Sequence, residues 1–259
     1  MKIAIVTGAG SGMGKDFARR LDAENLDEIW IVARHDDGLE DLSKSIKTKT
    51  RKFTLDLSVM ENIDKIASEL EKGQAVVEWL VNAAGFGKFN SYDNIKSETS
   101  LNMIDLNVKA VVKLTDACVP FMNKGSRIVN FASVAGFQPV PYGNIYASTK
   151  AFLLSYSRAL SFELKEKGIS VTCVCPYWTK TNFFDRAVSK ENVVVKKYVV
   201  MYKSEKVVGK AYKDSLKRKR LSIYGFVSNI QVFLTKLLPA SLVCKIWLKQ
   251  QKLTKKSKN

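Results

Sequence analysis

The run Lys2-Ile3-Ala4-Ile5-Val6-Thr7-Gly8-Ala9-Gly10-Ser11-Gly12-Met13-Gly14 decides the fold of this 259-residue chain. Its apolar, β-branched start reads as a buried strand, and a helical pattern over 12–24 begins where the glycines end. Glycines turn the chain tightly and let other atoms approach its backbone. The helix then presents N–H groups and the positive end of its dipole to the loop, which suits phosphate. Strand, glycine-rich turn and helix in that order form the setting of a dinucleotide site. Gly8, Ser11, Gly12, Met13 and Gly14 are therefore expected against a pyrophosphate.

Outward from this unit the alternation continues. Strand-like runs fall at 28–33, 52–55, 78–82, 127–131 and 169–175, with helical stretches at 37–47, 60–72, 101–123 and 146–167. Near-continuous apolar strands separated by helices predict a single α/β domain, a Rossmann-type doubly wound parallel sheet with helices on both faces. After residue 180 the pattern loosens. Residues 182–202 are mixed, 204–220 read as a basic helix and 221–224 as a last edge strand. Two amphipathic helices follow at 226–238 and 240–252, split by Pro239. The expected division is a catalytic domain over 1–225, with a substrate lid at about 182–220, and a basic amphipathic helical C-terminal extension over 226–259 that frays at 255–259.

Composition removes other classes. A hydrophobic share of 46% with 26% charged residues is an ordinary globular mixture. The first residues read as a strand rather than a leader, and no apolar run reaches the roughly 18 to 20 residues of a membrane span. A cytoplasmic location is expected. Four cysteines without paired spacing give no disulfide framework, and Cys173 and Cys175 read as reduced core thiols on one side of a strand. His35 is the one histidine, which speaks against a histidine-built metal site and against a serine–histidine triad.

The second strand ends in Ala33-Arg34. An acidic residue there would bond ribose hydroxyls and repel a 2′-phosphate, whereas a guanidinium grips the phosphate. Arg34 thus favours NADP(H) over NAD(H), while Asp36 and Asp37 beside it keep NAD(H) open as a second cofactor. Asp56-Leu57 follows the third strand, where a carboxylate can accept from the adenine amino group or cap the next helix in competition with Ser58.

At the reacting end, Asn82-Ala83-Ala84-Gly85 closes the fourth strand, Ser133 follows the fifth, and Tyr146 and Lys150 share one face of the next helix. An ammonium beside a phenol favours the phenolate and lowers its pKa from about 10. Such a phenol can exchange a proton with a carbonyl oxygen while hydride moves to or from a nicotinamide, and Ser133 can donate to the same oxygen.

Together these motifs resemble the short-chain dehydrogenase/reductase family over about residues 2–181: TGxxxGxG at Thr7–Gly14, NAAG at Asn82–Gly85, Ser133, and YxxxK at Tyr146–Lys150. The resemblance implies that Asn107 completes the catalytic set, kinking its helix and supporting a proton relay to Lys150. It implies cofactor contacts from Asn82, Ala83, Ala84, Gly85, Tyr146 and Lys150, and from Pro176, Thr179 and Thr181 on the nicotinamide side. It also implies a homodimer or homotetramer joined through the 146–167 helix. Tyr177 stands where the family usually has glycine after Pro176, which leaves the turn without a residue free at positive φ.

Val134, Phe137, Tyr142, Tyr177, Trp178 and Phe183 are expected to line a pocket for a small apolar carbonyl or alcohol, with Phe86, Phe89 and Val140 opposite the lid. The leading reading is a hydroxysteroid dehydrogenase-like enzyme, the alternative a long-chain 3-oxoacyl thioester reductase. A non-catalytic nucleotide-binding regulator or scaffold is the alternative of another class. The charge is lopsided: residues 1–195 hold 25 basic and 23 acidic residues, whereas 196–259 hold seventeen basic residues against Glu205 and Asp214. Three readings stay open for that basic quarter: a solvated exterior, peripheral contact with an anionic membrane, or attraction of an acidic substrate carrier. A nucleic-acid partner is not expected, because no reader motif accompanies the charge.

Overall fold

The computed structural model describes residues 1–188 and 194–253. Residues 189–193 of the expected lid, and 254–259 of the extension with its fraying end, lie outside the described residues.

The doubly wound sheet read from the sequence is present. Its strands are β1 (Lys2–Thr7), β2 (Glu28–Ala33), β3 (Thr50–Thr54), β4 (Val76–Asn82), β5 (Arg127–Phe131) and β6 (Ser170–Val174). Two short pieces, β7 (Thr179–Lys180) and β8 (Tyr202–Lys203), pair with each other, and β9 (Leu221–Ser222) closes the large sheet. The order is β3-β2-β1-β4-β5-β6-β9, every pair parallel. Alternation within β1 sends Ile3 and Ile5 to one core and Ala4 and Val6 to the other, so both faces need cover.

Helices α1 (Gly12–Leu21), α2 (Asp37–Ser45), α3 (Glu61–Gly73), α4 (Ser97–Ile104), α5 (Ala110–Cys118) and α6 (Asn144–Glu163) supply most of it. The expected helix over 101–123 differs. It starts at Ser97, passes through a π-helical turn at Asp105–Lys109, and ends at Cys118 before a short 3₁₀ turn. Beyond β6 come α7 (Phe183–Ala187), α8 (Ser204–Leu216), α9 (Phe226–Leu237) and α10 (Ala240–Gln250). Strand order reverses beside β1, where β4 lies on the side opposite β2, and that switch point opens a crevice at the carboxyl ends of the strands.

Candidate active site

Gly8, Ser11, Gly12, Met13, Gly14, Arg34, Asp56, Leu57, Ala83, Ala84, Gly85 and Thr181 line one groove of about 360 Å³ at that crevice. The loop is built for close approach. Gly8 has φ +67°, and a Cβ there would lie 2.8 Å from the Ala84 nitrogen. Thr7 Oγ1 accepts from the N–H groups of Ala83 and Ala84, each at 3.1 Å, which ties the NAAG segment to the end of β1. Ser11 makes no side-chain cap on α1, so the first-turn donors face the groove. These features fit a dinucleotide pyrophosphate.

At the far end Arg34 Nε donates to His35 Nε2 at 3.3 Å, and its guanidinium lies 4.0 Å from Asp56. Asp56 also accepts from the backbone and hydroxyl of Ser58. Neither caps a helix directly, since α3 begins at Glu61 after Met60. Asp36 turns away from the groove, toward Thr54 and Lys52. Asn82 departs from its expected cofactor role: it is buried beneath the groove, donating to Asn130 at 2.9 Å and to Thr115. The register sets Asn82 opposite Asn130, and Asn130 passes the chain on to Ser157 at 3.0 Å. Two asparagines at the ends of neighbouring strands were the signal for this polar bridge.

Ser133, Tyr146 and Lys150 converge where β5 meets α6. Ser133 Oγ accepts from the Ala135 N–H at 3.1 Å, which fixes its rotamer. Tyr146 sits between Phe89 and Phe183, with ring centres 5.6 and 5.5 Å away. Gly87 makes room for it, since a Cβ there would come within 2.9 Å of the ring. Lys150 is buried and donates to the Phe131 carbonyl at 2.8 Å. Asn107, wholly buried in the π turn, accepts from the Phe86 N–H at 3.0 Å and donates to the Phe86 carbonyl and to Thr149.

The electrostatics correct one expectation. Burial pushes the Tyr146 phenol up to about 12, and a hydrogen bond with Ser133 only partly opposes it. Burial also draws Lys150 down to about 8. Desolvation of the phenolate is the largest cause, and it keeps the proton on Tyr146 at neutral pH.

Tyr146 and Ser133 open onto a second pocket of about 100 Å³. Val134, Pro176, Tyr177, Trp178, Thr179, Thr181 and Phe183 line it, and Met13, Thr181 and Phe183 also border the dinucleotide groove. The two spaces therefore meet beside the phenol. Phe137 and Tyr142 do not line this pocket. Phe137 is half-buried against the edge of the core, under the Arg158 guanidinium, and Tyr142 has φ +66°, with its carbonyl accepting from the Asn90 N–H. Tyr177 adopts no positive φ, so the turn after Pro176 closes without glycine.

Sequence reasoning missed the contribution of the extension. Gln231 of α9 and Trp247 and Gln250 of α10 help line the catalytic pocket. Gln231 donates to Gln138 at 3.1 Å, and Trp247 Nε1 donates to the Pro141 carbonyl at 2.9 Å. The buried pair Val243–Trp247, one turn apart, was the sign that α10 faces inward.

A family model described as short chain dehydrogenase matches residues 2–192. Among relatives, an uncharacterized oxidoreductase of Staphylococcus epidermidis is 30% identical over 68% of this chain and 76% of its own length. Very-long-chain 3-oxoacyl-CoA reductase-B of Danio rerio is 35% identical over 70% of this chain, and the match spans 60% of that protein. Among solved structures, a short-chain dehydrogenase from Sphingobium yanoikuyae in complex with NADPH aligns with a TM-score of 0.77 at 22% identity, covering 100% of this chain and 98% of that one. A short-chain dehydrogenase from Streptomyces avermitilis gives 0.80 at 24% identity, with 98% of each chain covered.

Proposed function

We propose that this chain, which belongs to the short-chain dehydrogenase family of oxidoreductases, uses NADP(H) to interconvert a ketone and a secondary alcohol on an apolar, lipid-like substrate. The observation that carries the reading is the meeting of an aromatic pocket and a dinucleotide groove at Tyr146 and Ser133. Arg34 beside the ribose end supports NADP(H), and the NADPH complex of a structural neighbour accords with it. Asp36 pairs with Lys52, which neutralises one of the two acidic residues that follow Arg34 in sequence.

A bound nicotinamide dinucleotide supplies or accepts the hydride. The chain handles the proton. Tyr146 gives its phenolic proton to the substrate oxygen in reduction and takes one back in oxidation. Ser133, its rotamer fixed by Ala135, donates to that same oxygen and orients it. Lys150 supplies positive charge beside the phenolate that remains. Asn107 acts through others: it holds the Phe86 backbone and Thr149 in place.

Of the two lipid classes, long-chain 3-oxoacyl thioesters are favoured over hydroxysteroids, because the very-long-chain 3-oxoacyl-CoA reductases of several vertebrates are among the relatives. Assembly through α6, which exposes Phe152 and Phe162, belongs to the same reading. A panel of 3-oxoacyl thioesters and ketosteroids, followed by loss of reduced-nicotinamide absorbance with NADPH and NADH, tests it. Turnover of long-chain 3-oxoacyl thioesters with NADPH is expected. Binding of NADPH without oxidation across the panel would return the chain to the class of nucleotide-binding scaffolds.

A further inference from the structure

Helix α9 carries two opposed stripes. Ser228 and Val232 are buried against the body. Phe226, Ile230, Phe233, Leu234 and Leu237 recur at i, i+4, i+7, i+8 and i+11 and are exposed, Phe226 by 79% and Leu237 by 65%. Helix α10 adds exposed Leu242 and Ile246, one turn apart. An outward apolar stripe of this length is not explained by packing among the described residues.

The charge around it is of one sign. From Ser215 onward the chain contains no acidic residue. Lys236, Lys245, Lys249 and Lys252 are all exposed on or just after the two helices. Lys245 and Lys249 follow Leu242 and Ile246 by three residues, so they flank the apolar row. Two copies of such a face would bring lysines against lysines, whereas an anionic lipid surface complements them. No helix among the described residues is long and apolar enough to cross a membrane.

A cleft of about 230 Å³ runs between α9 and α10. Ile230, Leu234 and Ile246, which belong to the exposed stripes, form part of it. Gln138, Tyr177, Gln231, Trp247 and Gln250 border both this cleft and the catalytic pocket. The outer wall of the cleft is thus the apolar face itself, and its inner wall is shared with the space in front of Tyr146.

We propose that α9 and α10 form a docking surface for an anionic lipid bilayer, and that the cleft between them admits the apolar substrate from the bilayer to the catalytic pocket. The second half of the proposal rests on the lipid-like substrate assigned above; the docking does not.

Flotation of the full chain with vesicles separates these claims. The protein is mixed with vesicles of phosphatidylcholine alone or with about 30% phosphatidylserine, and binding is measured at low and high salt. Retention on the anionic vesicles, weakened by salt, is expected. Phe233→Glu/Leu237→Glu and Lys245→Glu/Lys249→Glu should each lower the bound fraction at least tenfold. Unchanged NADPH binding and thermal unfolding in both variants would show that they fold. The Phe233→Glu/Leu237→Glu variant should reduce a short water-soluble ketone at the wild-type rate, but a vesicle-embedded long-chain 3-oxoacyl thioester at least tenfold more slowly. Equal flotation of wild type and variants, or no flotation of either, overturns the docking surface. So does a wild-type oligomer that Phe233→Glu/Leu237→Glu converts to a smaller species without any vesicle binding, which makes the face a contact between copies. Flotation with equal loss of activity on both substrates overturns the portal. Flotation without turnover of any lipid substrate overturns the substrate reading and leaves the docking surface standing.

Discussion

Lys150 Nζ donates to the Phe131 carbonyl at 2.8 Å and lies over the Tyr146 ring, 5.8 Å from its centre. The strand end anchors the ammonium, and the ammonium lies close to the phenol. Burial draws Lys150 down to about 8, so it is charged below that pH and neutral above it. Reduction leaves a phenolate that needs the charge. We expect kcat/KM for reduction to be level below pH 8 and to fall above it. Lys150→Arg, charged throughout, should abolish that limb even at reduced activity. A limb at the same pH in the Arg variant would assign it to another group. The unfolded chain, with its lysine near 10.5, holds more protons than the folded one between about pH 8 and 10.5. Lys150 therefore contributes a rise in stability across that window, which Lys150→Met should remove from urea titrations.

Removing the phenolic hydroxyl tests the proton donor directly. Tyr146→Phe keeps the ring between Phe89 and Phe183 and deletes the hydroxyl proposed to give the proton. Turnover should fall by about a thousandfold. NADPH binding, read by quenching of protein fluorescence, should stay within a few-fold, as roughly one lost neutral hydrogen bond implies. Substantial activity in this variant excludes Tyr146 as the acid.

Arg34 is the residue proposed to choose the cofactor: it lines the groove, donates to His35 and makes a long contact with Asp56. A charge-assisted bond to phosphate contributes about 1.5–3 kcal/mol, so Arg34→Ala should raise the KM for NADPH by roughly ten- to a hundredfold. The KM for NADH should change little. Steady-state kinetics with both cofactors checks this, and equal loss with both would make Arg34 structural.

The reach of the sequence varied with the range of the interaction. The parallel sheet was legible because β1 to β6 are short apolar runs between turn signals, a local pattern. The order Ser133, Tyr146, Lys150 was legible because β5 and α6 carry these residues to one place. Long-range packing was not. Asn82 reads as a cofactor contact in its motif, yet its side chain goes to Asn130 across the sheet. Phe137 and Tyr142 lie near Tyr146 in sequence, but one packs half-buried against the edge of the core and the other is held by its backbone in the left-handed region. Helix α10 reads as a tail, and only tertiary contact places Trp247 within the pocket wall.

Asn107 should reveal itself through stability before activity. Its wholly buried amide bonds both the N–H and the carbonyl of half-buried Phe86. Asn107→Leu deletes those two bonds, at about 0.5–1.5 kcal/mol each where water can reach the backbone. Urea unfolding should therefore lose about 1–3 kcal/mol. Activity should fall further than the folded fraction accounts for, because Phe86 borders the dinucleotide groove. An unchanged unfolding midpoint would deny Asn107 its positioning role.

The extension is expected to belong to the pocket, and Trp247 decides the point. Its indole stacks on Trp178 at 6.3 Å with 22° between planes, and its N–H holds the Pro141 carbonyl. Truncation to alanine removes both contacts and opens the wall that Trp247 shares with Trp178. Loss of a large buried aromatic costs about 3–5 kcal/mol where the surroundings cannot collapse, so unfolding should shift measurably. The kinetic signature is more specific. A long apolar substrate uses this wall and a short ketone does not, so Trp247→Ala should lower kcat/KM for the long substrate at least tenfold more than for the short one. Trp247→Phe keeps an aromatic wall but loses the hydrogen bond, and should restore most of the discrimination. Equal losses on both substrates would place Trp247 in the support of the fold alone.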